Sequence, residues 1–89
     1  MKENERAVLC LQPDVSIVQD DGGWGLRRGA EVHYAQDAEQ AVILRRMAAQ
    51  VYDLHALTLA VMREMHLHEA MASLAIAAFV LEFDQYLEA

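Results

Sequence analysis

Four histidines and one cysteine are the residues of this chain best suited to metal binding or nucleophilic catalysis. His66 and His68 stand two positions apart between Glu64 and Glu69, and all four are residue types that bind metal ions. Residues at i and i+2 do not face the same way on a helix, and no cysteine or further histidine is close in sequence. We therefore interpret the two histidines as a solvated pair in a loop and predict no metal site.

Cys10 could act as a nucleophile only beside a general base, and no sequence pattern connects it to His33 or His55. A single cysteine forms no disulfide within the chain, so we expect a cytoplasmic protein. The four glycines precede no Lys-Ser or Lys-Thr pair and open no helix, which excludes a phosphate-binding loop. These residues predict a protein that is not an enzyme and has no cofactor; the role of Cys10 stays open.

The elements that must position these residues change character at Gln36–Asp37. Before this point the sequence shows short runs with glycine turns, and after it the hydrophobic residues recur with the helical period. Strands followed by helices predict one α+β domain over residues 1–89, with a three-stranded antiparallel sheet and then three helices. The polar residues 1–6 are expected to be disordered and lack the apolar core of a secretory signal.

The strands are predicted from apolar runs separated by turn residues. Asp20-Asp21-Gly22-Gly23 has the composition of a tight hairpin turn. The three predicted strands are Val15–Val18, Trp24–Arg28 and Glu31–Gln36. Successive side chains of a strand point to opposite faces of the sheet. In the third strand we expect Val32 and Tyr34 on the core face, together with Trp24 and Leu26 of the second strand. Glu31, His33 and Ala35 are then expected on the opposite face.

The helices are predicted from caps and apolar stripes. Asp37 is placed to cap helix one, with Gln40 reaching back as in a capping box, and this helix is expected to extend to about Gln50. Asp53 could cap a second helix, but neither Gly nor Pro marks the bend, so one long helix stays open. The third helix, Ala70–Phe83, is apolar nearly all round: one face must cover the sheet, and the other needs a separate explanation.

Charge narrows the range of partners. The chain carries 7 basic and 14 acidic residues, and no Lys or Arg follows Arg63. This sign disfavours nucleic acid and anionic membranes and favours a basic or neutral partner. The longest uninterrupted apolar run, Leu74–Leu81, is far shorter than the about 20 residues of a membrane span.

The order of elements resembles a known family. Leu11-Gln12-Pro13-Asp14-Val15 is followed by a Gly-Gly hairpin, two short strands and a capped helix, and the chain closes with the run from Phe79 to Leu87. This succession resembles the PqqD-like peptide chaperones, whose winged-helix-like fold is also called the RiPP recognition element. That family often has a glycine between its first two helices, where this sequence has Gln50-Val51-Tyr52-Asp53.

The resemblance implies a non-catalytic module that binds the leader of a ribosomally made precursor peptide and presents it to a modifying enzyme. The peptide would add a strand beside the third strand and pack against the third helix. Small alanines on that helix would allow close approach, and Met71 and Leu74 would supply adaptable apolar surface. The peptide-binding residues implied in this way are Glu31, Val32, His33, Tyr34, Ala35, Met71, Leu74, Ala75 and Ala78.

The sequence is also compatible with two other functions. A winged-helix transcriptional regulator has the same order of elements, but its recognition helix needs basic residues, and only Arg45, Arg46 and Arg63 lie on predicted helices. An acidic inhibitor or secretion chaperone could mask a partner protein, with a homodimer through the third helix as one form. The doublets Arg27-Arg28 and Arg45-Arg46 are interpreted either as solvated pairs or as anchors for acidic peptide side chains.

Overall fold

Two tight turns fold the first part of the chain into a sheet. The computed structural model describes residues 7–88, so the predicted disorder of residues 1–6 lies outside the described residues. The sheet is antiparallel with the strand order β1-β2-β3, as predicted. Its strands are β1, Val15–Asp20; β2, Gly23–Arg28; and β3, Glu31–Tyr34. Thus β1 continues beyond the predicted end at Val18, and β3 stops before the predicted end at Gln36.

The turn residues explain why the strands reverse where they do. The carboxylate of Asp20 accepts a hydrogen bond from the Gly22 N–H at 2.8 Å, which closes the first turn. Gly29, with φ at 62°, adopts the left-handed conformation that the second turn requires. Because this second turn contains two residues, Arg28 pairs directly with Glu31.

The register corrects the predicted faces of the sheet. Leu26 pairs with His33, and Gly25 pairs with Tyr34. Directly paired residues lie on the same face, so His33 shares the face of Leu26, which is fully buried. The prediction that Val32 and Tyr34 share this face was wrong by one residue: Glu31, His33 and Ala35 lie on the core face.

Helix α1, Ala38–Ala48, begins at the predicted cap. The Asp37 carboxylate accepts a hydrogen bond from the Gln40 N–H at 2.9 Å. The Gln40 side chain does not complete a capping box with Asp37. Its Oε1 atom instead accepts a hydrogen bond from the Gln36 N–H at 2.7 Å, which ties the end of the sheet to the start of α1.

The second helix, α2, is Leu54–Met65, and it is separate from α1. Gln50 has φ at 72°, a left-handed conformation that ends α1, so of the two possibilities left open by the sequence the structure shows two separate helices. Gln50 begins the segment in which the resembling family often has a glycine. The predicted Asp53 cap is confirmed by a hydrogen bond of 2.9 Å from the Ala56 N–H to its carboxylate.

The third helix, α3, is Glu69–Glu82, and a short 3-10 helix, Asp84–Tyr86, follows it. The left-handed conformation of His66, with φ at 56°, ends α2 before α3 begins. Helix α1 packs against β1 and β2, and α2 and α3 pack against α1 and against each other. No helix within residues 7–88 is both long enough and apolar enough to cross a membrane. The largest fully buried side chains are Leu26, Ile43, Leu44, Met47, Leu57, Val61, Phe79 and Phe83.

Residues 7–12 form an extended segment between two other parts of the chain. On one side, the Leu9 N–H donates to the Tyr52 carbonyl at 2.8 Å. On the other, the Cys10 carbonyl accepts from the Glu88 N–H, also at 2.8 Å. The segment therefore connects the α1–α2 loop with the end of the chain.

Candidate functional site

Within residues 7–88, strand β3 is an unpaired edge of the sheet, and every second residue turns its main chain outward. The Ala35 N–H donates a hydrogen bond of 2.8 Å to the Trp24 carbonyl. Main-chain pairing alternates along an antiparallel strand, so His33 also pairs with β2, while the N–H and C=O groups of Val32 and Tyr34 face away from the sheet. This edge can accept an added strand.

Gln36 occupies part of this edge. Its Nε2 atom donates a hydrogen bond of 2.8 Å to the outward carbonyl of Tyr34. An added strand could pair directly with Val32 and with the Tyr34 N–H, but it would have to displace the Gln36 amide to reach the Tyr34 carbonyl. The sequence prediction treated Gln36 only as the end of a strand and missed this contact.

A depression of about 530 Å³ adjoins the edge, and we call it the strand depression. Four of the predicted β3 residues line it, and the fifth, Ala35, packs against the core. The other side of the depression is formed by the end of the chain rather than by the predicted alanines of α3. Its lining residues are Glu31, Val32, His33, Tyr34, Gln36, Gln85 and Tyr86.

The predicted α3 residues line a second depression, of about 220 Å³, which we call the helix depression. It lies between α3 and the beginning of α1. The structure therefore brings Met71, Leu74, Ala75 and Ala78 together, but apart from β3. The residues that complete the lining are Asp37, Glu39, Gln40 and Leu67.

A side-chain pair connects the two regions. The Nε2 atom of His33 lies 2.7 Å from the Oε2 atom of Glu82, near the end of α3. The His33 ring also packs against Phe83, with 4.6 Å between ring centroids, and against Tyr86, at 5.7 Å. His33 and Glu82 thus form a bridge that holds β3 to the end of α3.

Sequence reasoning missed this bridge, although one signal pointed to Glu82. Met71, Ala75 and Ala78 follow one another at i, i+4 and i+7, and Glu82 continues the same row at i+11. The row that lines the helix depression therefore ends at the carboxylate that holds His33. An acidic residue at the end of an otherwise apolar row is a candidate for a specific polar contact.

The linings of both depressions contain acidic side chains, and Arg28 lies just outside the strand depression, against Gln85 and Tyr86. Glu31 belongs to the strand depression, Asp37 and Glu39 belong to the helix depression, and neither lining includes Lys or Arg. A hydrogen bond of 3.0 Å to Asp20 raises the pKa of the Tyr34 hydroxyl above 10.0, and burial and the negative charges of Asp20 and Asp21 act in the same direction. Tyr34 therefore stays neutral and remains a hydrogen-bond donor at physiological pH.

The arginine doublets are not equivalent. Arg45 and Arg46 both pair with the carboxylate of Glu64, so one side chain of α2 binds two guanidinium groups of α1. Arg28 binds Asp14 at 3.1 Å and lies 5.1 Å from the centre of the Tyr86 ring. Three of the four doublet arginines therefore connect parts of the fold.

The other candidate residues lie apart from the two depressions. His66 and His68 are exposed in the joint between α2 and α3, as the predicted loop pair would be. Cys10 is exposed and free. Within residues 7–88, no three His, Cys, Asp or Glu side chains come together in a way that could hold a metal ion.

Comparison with known proteins returns no relative. No family model, no curated protein and no solved structure matches this chain. The functional interpretation therefore depends on the geometry of the edge and its two depressions, together with the resemblance in the order of elements.

Proposed function

We propose that this chain is a non-catalytic binding module of the cytoplasm. It binds the leader of a ribosomally made precursor peptide by strand addition at β3 and presents the peptide to a modifying enzyme. The observation that carries this proposal is the outward main chain of Val32 and Tyr34, which lies beside the strand depression. The resemblance to the PqqD-like peptide chaperones supports the same function.

The register of β3 indicates how such a peptide would lie. A peptide residue directly opposite His33 has its side chain on the core face of the sheet, where it meets Gln85 and Tyr86 in the strand depression. Its neighbours would lie on the outer face, beside Val32 and Tyr34. Because the lining is acidic, basic or neutral peptide side chains are favoured there.

The alternatives differ in how well the contacts support them. The winged-helix regulator would need free basic side chains on a helix, and the contact of Arg45 and Arg46 with Glu64 weighs against it. The acidic partner-masking protein stays open, because α3 exposes large apolar side chains at Leu74 and Leu81.

Main-chain pairing between β3 and a bound peptide can be tested with synthetic peptides that cover the short reading frames beside the gene. Proline at position 32 removes an outward N–H without removing a bond to β2. We therefore expect Val32→Pro to weaken peptide binding by about tenfold in calorimetry. Gln19→Pro is the matched control, because Gln19 is an exposed residue with an outward N–H on the opposite edge, in β1. Equal losses of peptide affinity in Val32→Pro and Gln19→Pro would contradict strand addition at β3.

A second substitution tests whether the peptide continues from the strand depression to the helix depression. Ala75 is partly buried in the helix depression, and tryptophan there would fill the space. If the peptide reaches α3, we expect Ala75→Trp to weaken binding by about 1 kcal/mol or more, as overpacking does. Unchanged affinity, with the fold intact by circular dichroism, would restrict the binding site to β3 and the strand depression.

A further inference from the structure

Helix α3 presents an uncharged apolar face that points away from the core. Leu74 and Leu81 are 63% and 80% exposed, and Ala70 and Ala77 are exposed between and beside them. These four residues form a row at i, i+4, i+7 and i+11, which we call the outer row. At about 100° per residue, the two charged residues of α3, Glu69 and Glu82, lie about 110° around the helix from the centre of this row.

The outer row is complementary to itself when two copies lie antiparallel. Positions 70 and 81 have the same midpoint as positions 74 and 77. An antiparallel pair of α3 helices centred on that midpoint therefore places each leucine of one copy opposite an alanine of the other. Leu74 faces Ala77, and Leu81 faces Ala70, so every contact combines a large side chain with a small one.

The residues beside the outer row permit close approach. Ser73 flanks it on one side and Ala78 on the other; both are small and exposed. Helices with small side chains at their contact can pack at the lower end of the usual 8–10 Å axial separation. Neither the outer row nor these flanking positions carry charge, so this face neither repels a second copy nor selects a basic partner.

We propose that α3 pairs antiparallel with α3 of a second copy of this chain through the outer row. The contact is small: the row is about 17 Å long, and its footprint is well below the about 800 Å² per partner of a standard interface. The dimer is therefore weak, with a dissociation constant on the order of tens of micromolar or more. This inference does not depend on the proposed peptide binding at β3, because the outer row shares no residue with the lining of the strand depression and shares Leu74 alone with the lining of the helix depression.

Sedimentation equilibrium of the full 89-residue protein, from about 1 µM to 1 mM in about 0.15 M salt, measures this association. We expect Leu74→Ala to weaken the dimer by roughly tenfold, because each dimer loses two leucine contacts. Ala77→Leu should also weaken it, because leucine then meets leucine. The double variant Leu74→Ala/Ala77→Leu restores the combination of large and small residues and should return to within about threefold of the parent protein.

The contact between Leu81 of one copy and Ala70 of the other provides a second, separate test. Leu81→Ala should weaken the dimer, and Ala70→Leu/Leu81→Ala should restore it. Both residues are exposed, so circular dichroism is expected to show an unchanged fold. A monomer at every concentration, stronger association of Ala77→Leu, or failure of both double variants to recover would overturn the proposal. Stronger association of Ala77→Leu would indicate general apolar adhesion rather than a defined antiparallel register.

Discussion

Replacing His33 with alanine is expected to loosen β3 from the end of α3. The substitution removes the contact between His33 and Glu82 and the packing of the imidazole ring against Phe83 and Tyr86. The His33 and Glu82 side chains are 24% and 36% exposed, so water partly screens their contact, and we expect it to contribute about 1 kcal/mol to the free energy of unfolding. The ring contacts add about 1 kcal/mol. We therefore expect the free energy of unfolding to fall by about 2 kcal/mol.

Thermal and urea denaturation, followed by circular dichroism at pH 7, measure this change. For a domain of this size, a loss of about 2 kcal/mol lowers the midpoint temperature by roughly 8–16 °C. His33→Phe is the matched control, because it keeps an aromatic ring but has no ring nitrogen to form the hydrogen bond with Glu82. It should lose only the polar contribution, and its midpoint temperature should fall by roughly 4–8 °C.

The reasoning would be refuted if His33→Ala changed the free energy of unfolding by less than about 0.5 kcal/mol, the usual range for surface substitutions. The sequence analysis predicted that His33 lies on the face of the sheet opposite Trp24 and Leu26. The structure places His33 on the core face and in the lining of the strand depression, so a peptide measurement on this variant requires a parallel measurement of stability.

Three further predictions concern other contacts. Gly25→Ala should lower the free energy of unfolding by about 2 kcal/mol or more, because the new Cβ would lie 2.8 Å from a main-chain carbonyl of β3. Gly22→Ala should lower the free energy of unfolding less in the same urea titration, because the atoms nearest to its Cβ belong to the side chain of Tyr34, which can move, rather than to the main chain. Glu64→Ala should cost about 1 kcal/mol, because two arginines lose their partner, and the difference should shrink at high salt. Asp20→Ala should lower the pKa of Tyr34 toward 10.0 in an NMR titration. Because the folded pKa is raised, this hydrogen bond stabilises the fold fully below the unfolded pKa, and its contribution is lost as the pH rises through the folded pKa.

Local sequence signals determined the class and order of the elements. The change of hydrophobic period near Asp37 predicted where the sheet gives way to helices, and the structure confirms it. Asp37 and Asp53 predicted two helix starts, because a short acidic side chain can bind the free N–H groups of a first helical turn. Such signals depend on neighbours a few residues away, so the sequence alone is enough to read them.

The tertiary structure decided which side chains meet. The two-residue turn at Gly29 sets the pairing of β2 with β3, and a register different by one residue would have reversed the face of every β3 side chain. The observed register places His33 beside Glu82, 49 positions away in the sequence. The binding of two arginines by Glu64 likewise depends on how α1 packs against α2. Contacts between residues far apart in sequence follow from packing and register, and no local pattern near either residue specifies its partner.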